Sequence, residues 1–179
     1  MKKLYVLIML PLLCVACSTP PPAVPAPPPP PPMQAYGNLA QVMRAIPFPN
    51  SNIIFDAQSN DPEKKKAELK AAAEKGGDPY AATYAGWQGV ENAGIALAEF
   101  SNLLTVPHMC QNGMPAPIDR DDWKKFAMGL ADAGRAAYMA AQSKNQDNIV
   151  DVAGTVTEAC AACHNVYRDQ PEPKQRCTP

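Results

Sequence analysis

The segment NQDNIVDVAGTVTEACAACHNVY, residues 145–167, carries a helical pattern. Its apolar and sulfur-containing positions recur at steps of three and four residues: Ile149, Val152, Val156, Cys160, Cys163 and Tyr167. Such spacing aligns one stripe along a single face of an α-helix. The helix is expected to follow from Asn145. The segment therefore predicts a long amphipathic helix near the end of the sequence.

Two earlier segments repeat this pattern. The first is expected to begin at Asp78-Pro79 and to end before Pro107, with the stripe Trp87, Val90, Gly94, Leu97, Ser101 and Leu104. The second follows Asp119, with the stripe Trp123, Phe126, Leu130, Gly134, Ala137 and Ala141. An aspartate followed by a proline is a frequent helix start, because it combines an N-cap with a residue suited to the first turn. Both segments are predicted to be long helices.

The chain before residue 78 predicts shorter elements. A short helix is expected over residues 39–46, and Pro47 should end it. Residues 50–60 are expected to be a connection whose apolar side chains fold back onto the core. Residues 61–77 open with Asp-Pro, close with Gly-Gly and are rich in Lys, Glu and Ala, so they predict a helix on the surface.

One short helix, three long ones and one charged extra helix define an all-α chain. Helices joined by short connections become antiparallel neighbours. The expected fold is therefore an antiparallel up-down-up-down four-helix bundle.

Residues 1–16 have the layout of a secretory signal peptide. Two lysines precede an apolar run of about ten residues, which is much shorter than a transmembrane helix of roughly 20 residues. Ala16-Cys17 resembles the end of a bacterial lipobox, so Cys17 is the expected lipidation site. Ordinary signal cleavage and a structural role for Cys17 are the alternatives. Ser18 resembles the residue that follows in lipoproteins sent to the outer membrane, so the domain should face the periplasm.

Residues 17–32 are expected to form the lipidated N-terminus and a proline-rich stalk. Polyproline II extends by about 3.1 Å per residue, which gives a spacer of roughly 40 Å. A ligand for a proline-recognition domain is the alternative. Residues 33–179 then remain as one domain.

The charge of the chain is nearly balanced, with 16 basic and 17 acidic residues and a net charge of -1. No basic surplus is present to neutralise a phosphate backbone, so nucleic-acid binding is not expected. The sequence contains nothing that resembles a catalytic triad, paired catalytic carboxylates or a phosphate loop. An enzyme is therefore not expected either.

Within the quoted segment, Cys160-Ala161-Ala162-Cys163-His164 reads as a c-type haem attachment sequence. Two thiols at this spacing can each form a thioether with one haem vinyl group, and the adjacent imidazole can bind the iron. A thioredoxin-like redox pair would need a β-α-β context, and a zinc site would need a second pair of ligands. The sequence has neither. One covalent haem c is the expected cofactor, with His164 as the proximal iron ligand.

The chain resembles the class II cytochromes c, the cytochrome c-prime family and its low-spin relatives, over roughly residues 35–170. The resemblance rests on the motif near the C-terminus, on the order of the helices, and on Tyr167-Arg168, which match an aromatic residue and an arginine common after the family's histidine. It implies that Tyr167 and Arg168 lie in the haem surroundings, with Arg168 on the proximal side. An exposed arginine favoured by the helix dipole is the alternative.

Three residues are candidates for the sixth iron ligand: Met43, Met33 and His108. Low-spin members of the family take a methionine from the first helix, so the resemblance favours Met43. In the expected bundle, Met43 and His164 also lie at comparable heights, at 1.5 Å per residue. A methionine on an apolar stripe is otherwise core filling. His108 is expected to be a solvated loop residue.

Cys110 and Cys177 are left once the other cysteines are assigned. In an oxidising compartment two leftover thiols usually bridge, and the expected bundle brings the loop of Cys110 and the tail of Cys177 to the same end. A disulfide is predicted. Free thiols and an intermolecular bridge are the alternatives.

The leading functional expectation is one-electron transfer by a haem with His/Met ligation, between redox partner proteins that the sequence does not identify. The alternative is a five-coordinate, cytochrome c-prime-like haem that binds nitric oxide or carbon monoxide, with Phe55 and Leu39 as walls of the distal pocket. A tethered accessory subunit of a larger dehydrogenase is a third reading. The lipid on Cys17 would contact the membrane, and a second copy of the chain is a candidate partner.

Overall fold

The structure, a computed structural model, describes residues 33–178. Six α-helices lie in this range: α1 (Leu39–Ala45), α2 (Pro47–Asp56), α3 (Pro62–Glu74), α4 (Trp87–Leu103), α5 (Asp121–Gln142) and α6 (Gln146–Tyr167). Apart from an isolated bridge between Met109 and Pro115, the same range contains no β pairing. The predicted all-α fold class is confirmed. The signal peptide, Cys17 and the stalk, residues 1–32, lie outside the described residues.

The first predicted helix is followed directly by a second one. The first helix ends at Ala45, directly before Pro47, as the sequence predicts. Pro47 also begins a new helix, so the prediction of a connection over residues 50–60 is wrong for residues 50–56, which belong to α2. Of this range, only residues 57–60 lie between α2 and α3. A proline fits the first turn, where the amide that it lacks would have no helical partner. Across the junction, the Nδ2 of Asn50 donates to the carbonyl of Ile46 at 2.8 Å. Helix α2 buries Ile54 completely.

The charged helix α3 begins and ends as its sequence predicts. The Asp61 carboxylate accepts from the amides of Glu63 and Lys64 at 2.8 and 3.0 Å, which caps the helix. Gly76, with φ of +93°, follows its last turn in a conformation that favours glycine. Most side chains of α3 are exposed, so its predicted position on the surface is confirmed.

Helix α4 begins nine residues later than Asp78-Pro79 predicts, at Trp87. The Asp78 carboxylate accepts from the amide of Tyr80 at 2.9 Å, and this bond closes a turn rather than the first turn of a helix. Gly86, with φ of +79°, makes the entry into α4. The predicted stripe itself is correct, since all six of its members are buried.

Helices α4 and α5 meet at backbone distance. A Cβ atom added to Gly94 would lie 2.5 Å from the backbone nitrogen of Tyr138, and one added to Gly134 would overlap the backbone nitrogen of Ala98. Residue 94 therefore meets residues 134–138 and residue 98 meets residue 134, which makes the two helices antiparallel. We call Gly94, Ala98, Gly134 and Tyr138 the α4–α5 seam.

The remaining contacts arrange the other helices around this pair. Helix α2 packs against α4 and α6, and α6 packs against α5. At one end, the amide of Leu39 donates to the Met109 carbonyl at 2.8 Å, and the indole of Trp123 donates to the Leu104 carbonyl at 2.8 Å. At the other end, the Nε2 of Gln146 donates to the Ala57 carbonyl at 3.0 Å.

The first of these ends gathers the start of α1, the loop 104–120, the start of α5 and the end of α6. We call this the motif end, because α6 carries its two free cysteines there. Across residues 33–178, none of the helices combines the length and the apolar character that crossing a membrane requires.

Candidate cofactor site

The motif residues lie in the last third of α6. Cys160 and Cys163 are free thiols, both half-buried, and both pack against the core. His164 is half-buried as well. Positions three and four apart on a helix are neighbours, so the two thiols and the imidazole share one side of α6. This side is accessible enough to react and is also in contact with apolar surroundings.

Burial holds all three groups in their neutral forms at neutral pH. It raises the pKa of Cys160, and it raises the pKa of Cys163 to about 11, with Cys160 and Asp122 contributing to the latter. Desolvation lowers the pKa of His164, and the positive charge of Arg168 lowers it further. A neutral imidazole keeps a free lone pair on one ring nitrogen, which is the form that binds a metal.

Side-chain burial changes along α6. Its first half contributes four buried side chains to the core, none more than 7% exposed: Ile149, Val152, Ala153 and Val156. Its second half contributes apolar and thiol side chains that are only partly buried: Ala159, Cys160, Cys163 and Val166. Partly buried residues from α1 and α5 pack against the same core: Val42, Met43, Ile46 and Phe126. Along α6, the side chains next to the motif are thus less completely covered than those of its first half, with the exception of Tyr167.

Tyr167 fixes the end of α6 against the start of α5. It is 4% exposed, and its ring lies edge-on to Trp123 and Phe126, at centroid distances of 5.0 and 6.3 Å. Its hydroxyl accepts from the Nε of Arg120 at 3.0 Å, and the same Nε donates to the Asp122 carboxylate at 3.0 Å. These contacts hold the helical turn that carries His164.

Arg168 follows the last residue of α6 and is exposed. Its guanidinium binds the Asp169 carboxylate through two hydrogen bonds, of 2.6 and 3.0 Å. It lies close enough to the motif to lower the pKa of His164 and to act on both thiols. Arg168 is therefore an exposed arginine at the helix end that also lies beside the motif. The position implied by the resemblance and the alternative are compatible with each other.

The tail after α6 turns back onto the motif end. Cys110 and Cys177, which the sequence pairs, form a disulfide in the structure. The amide of Cys177 donates to the Tyr167 carbonyl at 2.8 Å, and the Nδ2 of Asn112 donates to the Arg176 carbonyl at 2.7 Å. The loop 104–120, the tail and the last turn of α6 are therefore joined to one another.

The candidates for the opposite side of an iron differ in their surroundings. Met43 is half-buried on α1 and packs against the core, whereas Met33 precedes α1 and is 71% exposed. His108 is buried, so the prediction of a solvated loop residue is wrong. Its Nδ1 lies 2.8 Å from the Val106 carbonyl. Since a carbonyl only accepts, this nitrogen carries the proton.

The two residues considered as walls of a distal pocket both belong to the first two helices. Leu39, the first residue of α1, is buried, and Phe55 on α2 is partly buried and packs against the core. Neither has a polar group in its side chain. Leu39 lies at the motif end, whereas Phe55 lies two residues before Ala57, which contacts Gln146 at the opposite end, so the structure does not bring the two together beside the motif.

Two open cavities in the described part of the chain lie away from the motif. One of about 590 Å³ opens between α2, α3 and the segment before α4, with Ile53, Lys65 and Tyr84 in its lining. A second of about 480 Å³ includes Asn60 and Gln146. Neither is lined by a motif residue.

The donor set suits a haem better than a metal ion held by side chains alone. Within residues 33–178, no cluster of three or more His, Cys, Asp or Glu side chains could hold a metal ion. A haem needs only one or two ligands from the protein, since the porphyrin supplies the others. Two free thiols beside one neutral imidazole, in the less covered part of an apolar core, fit that requirement.

Comparison of the chain with models of protein families, with curated proteins and with solved structures found no match.

Several residues around the motif have no signal in the sequence. Arg120, Asp122 and Asn112 reach the end of α6 or its tail from the start of α5 and from the loop before it. Paired aspartates at 121 and 122 indicate only a helix start. Their contacts depend on packing between distant segments, which no local pattern encodes.

Proposed function

We propose that the chain is a monohaem c-type cytochrome that carries single electrons rather than catalysing a reaction on a substrate. The observation that carries the proposal is the pair of free, half-buried thiols at Cys160 and Cys163, beside the neutral imidazole of His164. In an exported protein, free thiols at this spacing require an explanation, because the other two cysteines of the domain are bridged. Haem attachment supplies it.

The proposed fold is an antiparallel up-down-up-down four-helix bundle, in which α1 and α2 together take the place of the first helix. Its support is the gathering at the motif end of the start of α1, the end of α4, the start of α5 and the end of α6. Helix α2 also contacts α6, so the first and the last helical segments of the proposed bundle are neighbours. Bundles of this kind hold cofactors in the core between facing helices.

In this proposal Cys160 and Cys163 hold the haem through two thioether bonds, and His164 binds the iron. The bound haem supplies a couple that gains and loses one electron. Tyr167, fixed by Arg120 and by two aromatic rings, keeps the proximal turn in place. The partly buried apolar side chains of α1, α5 and α6 would be covered by the porphyrin and would exclude water from it.

Met43 is the proposed sixth ligand. It lies on α1, four residues after Leu39 at the motif end, and its side chain is only partly buried. Thioether ligation raises the reduction potential relative to a second nitrogen ligand. The resemblance to the low-spin class II cytochromes c points to the same residue.

The substitution Met43→Ala tests this ligand. We expect the wild type to be low-spin in both oxidation states and the variant to become high-spin and to bind carbon monoxide when reduced. Truncation of a methionine costs about 2–5 kcal/mol in a fully buried site, so stability alone does not identify a ligand. Optical spectra of the reduced protein, recorded below the melting temperature of the variant, provide the measurement.

Met128→Ala is the matched control, because Met128 lies on α5 and is 61% exposed. It should leave the spectrum unchanged. A wild type that is already high-spin would favour the five-coordinate, gas-binding alternative, with Leu39 at the open side. A Met43→Ala variant that stays low-spin would assign the position to another residue, such as His108.

The proposed location is the periplasmic side of the bacterial outer membrane, with the lipid on Cys17 in the bilayer and the stalk over residues 17–32 as a spacer. Its support is the sequence of residues 1–32 alone. The proposed partners are redox proteins that exchange electrons with the haem.

A further inference from the structure

The tail after α6 is held in place by its backbone. The Cys177 amide bonds to Tyr167, and the Nδ2 of Asn112 donates to the carbonyls of Lys174 and Arg176 at 3.2 and 2.7 Å. The disulfide to Cys110 adds a covalent link. The backbone of Arg176, which lies between these attachments, is therefore fixed beside the last turn of α6.

The Arg176 side chain has no polar partner in the described part of the chain. Its Nε is buried without a hydrogen bond, and none of the ion pairs among residues 33–178 includes its guanidinium. The nearby carboxylate of Asp169 feels the charge of Arg176, but both of its oxygens are bound by Arg168. A buried N–H group of a cation without a partner is costly, so its retention calls for an acceptor.

A favourable interaction with the helix dipole of α6 would account for a positive charge at this place, but not for a buried Nε without an acceptor. Two guanidinium groups, from Arg168 and Arg176, face one carboxylate at the end of the helix that carries His164. Between them, Arg168 and Arg176 carry one positive charge more than Asp169 neutralises. An additional carboxylate would balance that charge and would satisfy the Nε.

We infer that Arg176 binds a propionate carboxylate of the haem attached at Cys160 and Cys163. This inference rests on the proposed function. A guanidinium offers two parallel N–H donors that match the two oxygens of a carboxylate. The tail and its disulfide would then be part of the cofactor site, because they fix the residue that pairs with the haem periphery.

The variant Arg176→Gln tests the inference in the full-length, haem-loaded protein. A positive charge near the iron favours the reduced form, so its removal should lower the reduction potential and shift the ratio of reduced to oxidised protein several-fold at a fixed applied potential. The carboxylate bending band of the propionates in the resonance Raman spectrum should shift as well. Arg176→Lys, which keeps the charge, should retain most of the potential.

Lys174→Gln is the matched control, because it removes the same charge from an exposed position in the same tail. Screening by salt should leave its potential close to that of the wild type. Repeating Arg176→Gln in an Asp169→Asn background separates the two carboxylates that Arg176 could serve. The shift should persist there if the propionate is the partner. Circular dichroism and thiol counting establish that the variants fold and keep the disulfide.

The outcomes are distinct. If the wild type carries no covalent haem, the proposed function fails and this inference fails with it. If the haem is attached and Arg176→Gln matches Lys174→Gln in potential and Raman spectrum, the inference alone is overturned. If the shift disappears in the Asp169→Asn background, Arg176 acts on Asp169, and the inference is likewise overturned. If Arg176→Gln does not fold, Arg176→Lys takes its place in the test. A propionate band at the same position in Arg176→Lys and in the wild type would then overturn the inference.

Discussion

The α4–α5 seam and the motif end are packed in opposite ways. At the seam, glycine and alanine let two backbones touch, and the surrounding side chains are buried. At the motif end, larger side chains such as Met43 and Phe126 stay partly exposed, and a disulfide joins the tail to a loop. The seam is complete without any further group. The motif end contains a covalent link and leaves part of its apolar surface exposed.

The largest effect is expected from removal of the disulfide at the motif end. Cys110 and Cys177 are 67 residues apart in sequence, and a link across a loop of that length stabilises by about 4 kcal/mol in the chain-entropy description. The double substitution Cys110→Ser, Cys177→Ser should lower the free energy of unfolding in urea by that order. The wild type measured with reductant serves as a control for the substitutions themselves. An unchanged unfolding free energy would show that the link contributes nothing to the motif end.

A somewhat smaller effect is expected at the seam from Gly94→Ala. The new methyl group would meet the backbone of Tyr138, which can move away only if the helices separate, and such overpacking costs about 1–3 kcal/mol or more. Gly129→Ala on α5 is the control, since no atom lies near its added Cβ. There, alanine should stabilise the helix by about 0.5–1 kcal/mol. Equal thermal denaturation curves for the two variants would contradict the close contact between the two backbones at the seam.

The smallest effect concerns the exposed pair at the start of α5. A hydrogen bond from Arg120 lowers the pKa of Asp122 from 3.8 to about 2. A lowered pKa in the folded state stabilises above the unfolded pKa, and this stabilisation is lost as the pH falls from about 4 to about 2. Asp122→Asn should therefore reduce the melting temperature slightly at pH 7.

The difference between the wild type and Asp122→Asn should shrink as the pH falls through that range. Asp121→Asn, which removes the same charge from the neighbouring exposed position, is the control; the Asp121 carboxylate lies 4.0 Å from the Lys124 ammonium, beyond hydrogen-bond distance. A difference between wild type and Asp122→Asn that is constant with pH would mean that the ion pair with Arg120 does not couple to folding.

The sequence predicts the helical stripes well, because burial follows a 3.6-residue period and the spacing of the apolar residues shows that period. The stripe from Trp87 to Leu104 is buried throughout, and α6 follows Asn145 as predicted. Local signals at prolines mislead, since Pro47 begins a helix and Pro79 follows an aspartate that closes a turn. The same residue type serves a helix start or a turn, and contacts from elsewhere in the chain decide between them.

At the candidate site, the sequence identifies the thiols and the imidazole, because their spacing along one helix is local. It does not identify Arg176 or Arg120, whose positions depend on a loop and a tail that meet α6 only in the folded chain. It also assigns His108 to solvent, although the loop 104–120 buries it. Residues brought together by loop packing are those that a one-dimensional pattern cannot show.

Covalent haem retention tests the central claim most directly. The protein should be produced in cells that export it and attach c-type haem. It should then be denatured, extracted with acidic acetone and analysed by mass spectrometry alongside the double variant Cys160→Ser, Cys163→Ser. We expect the wild-type peptide that contains residues 160–164 to keep the mass of one haem, and the double variant to keep none. A colourless wild type, with both thiols free to react with an alkylating reagent, would contradict the account.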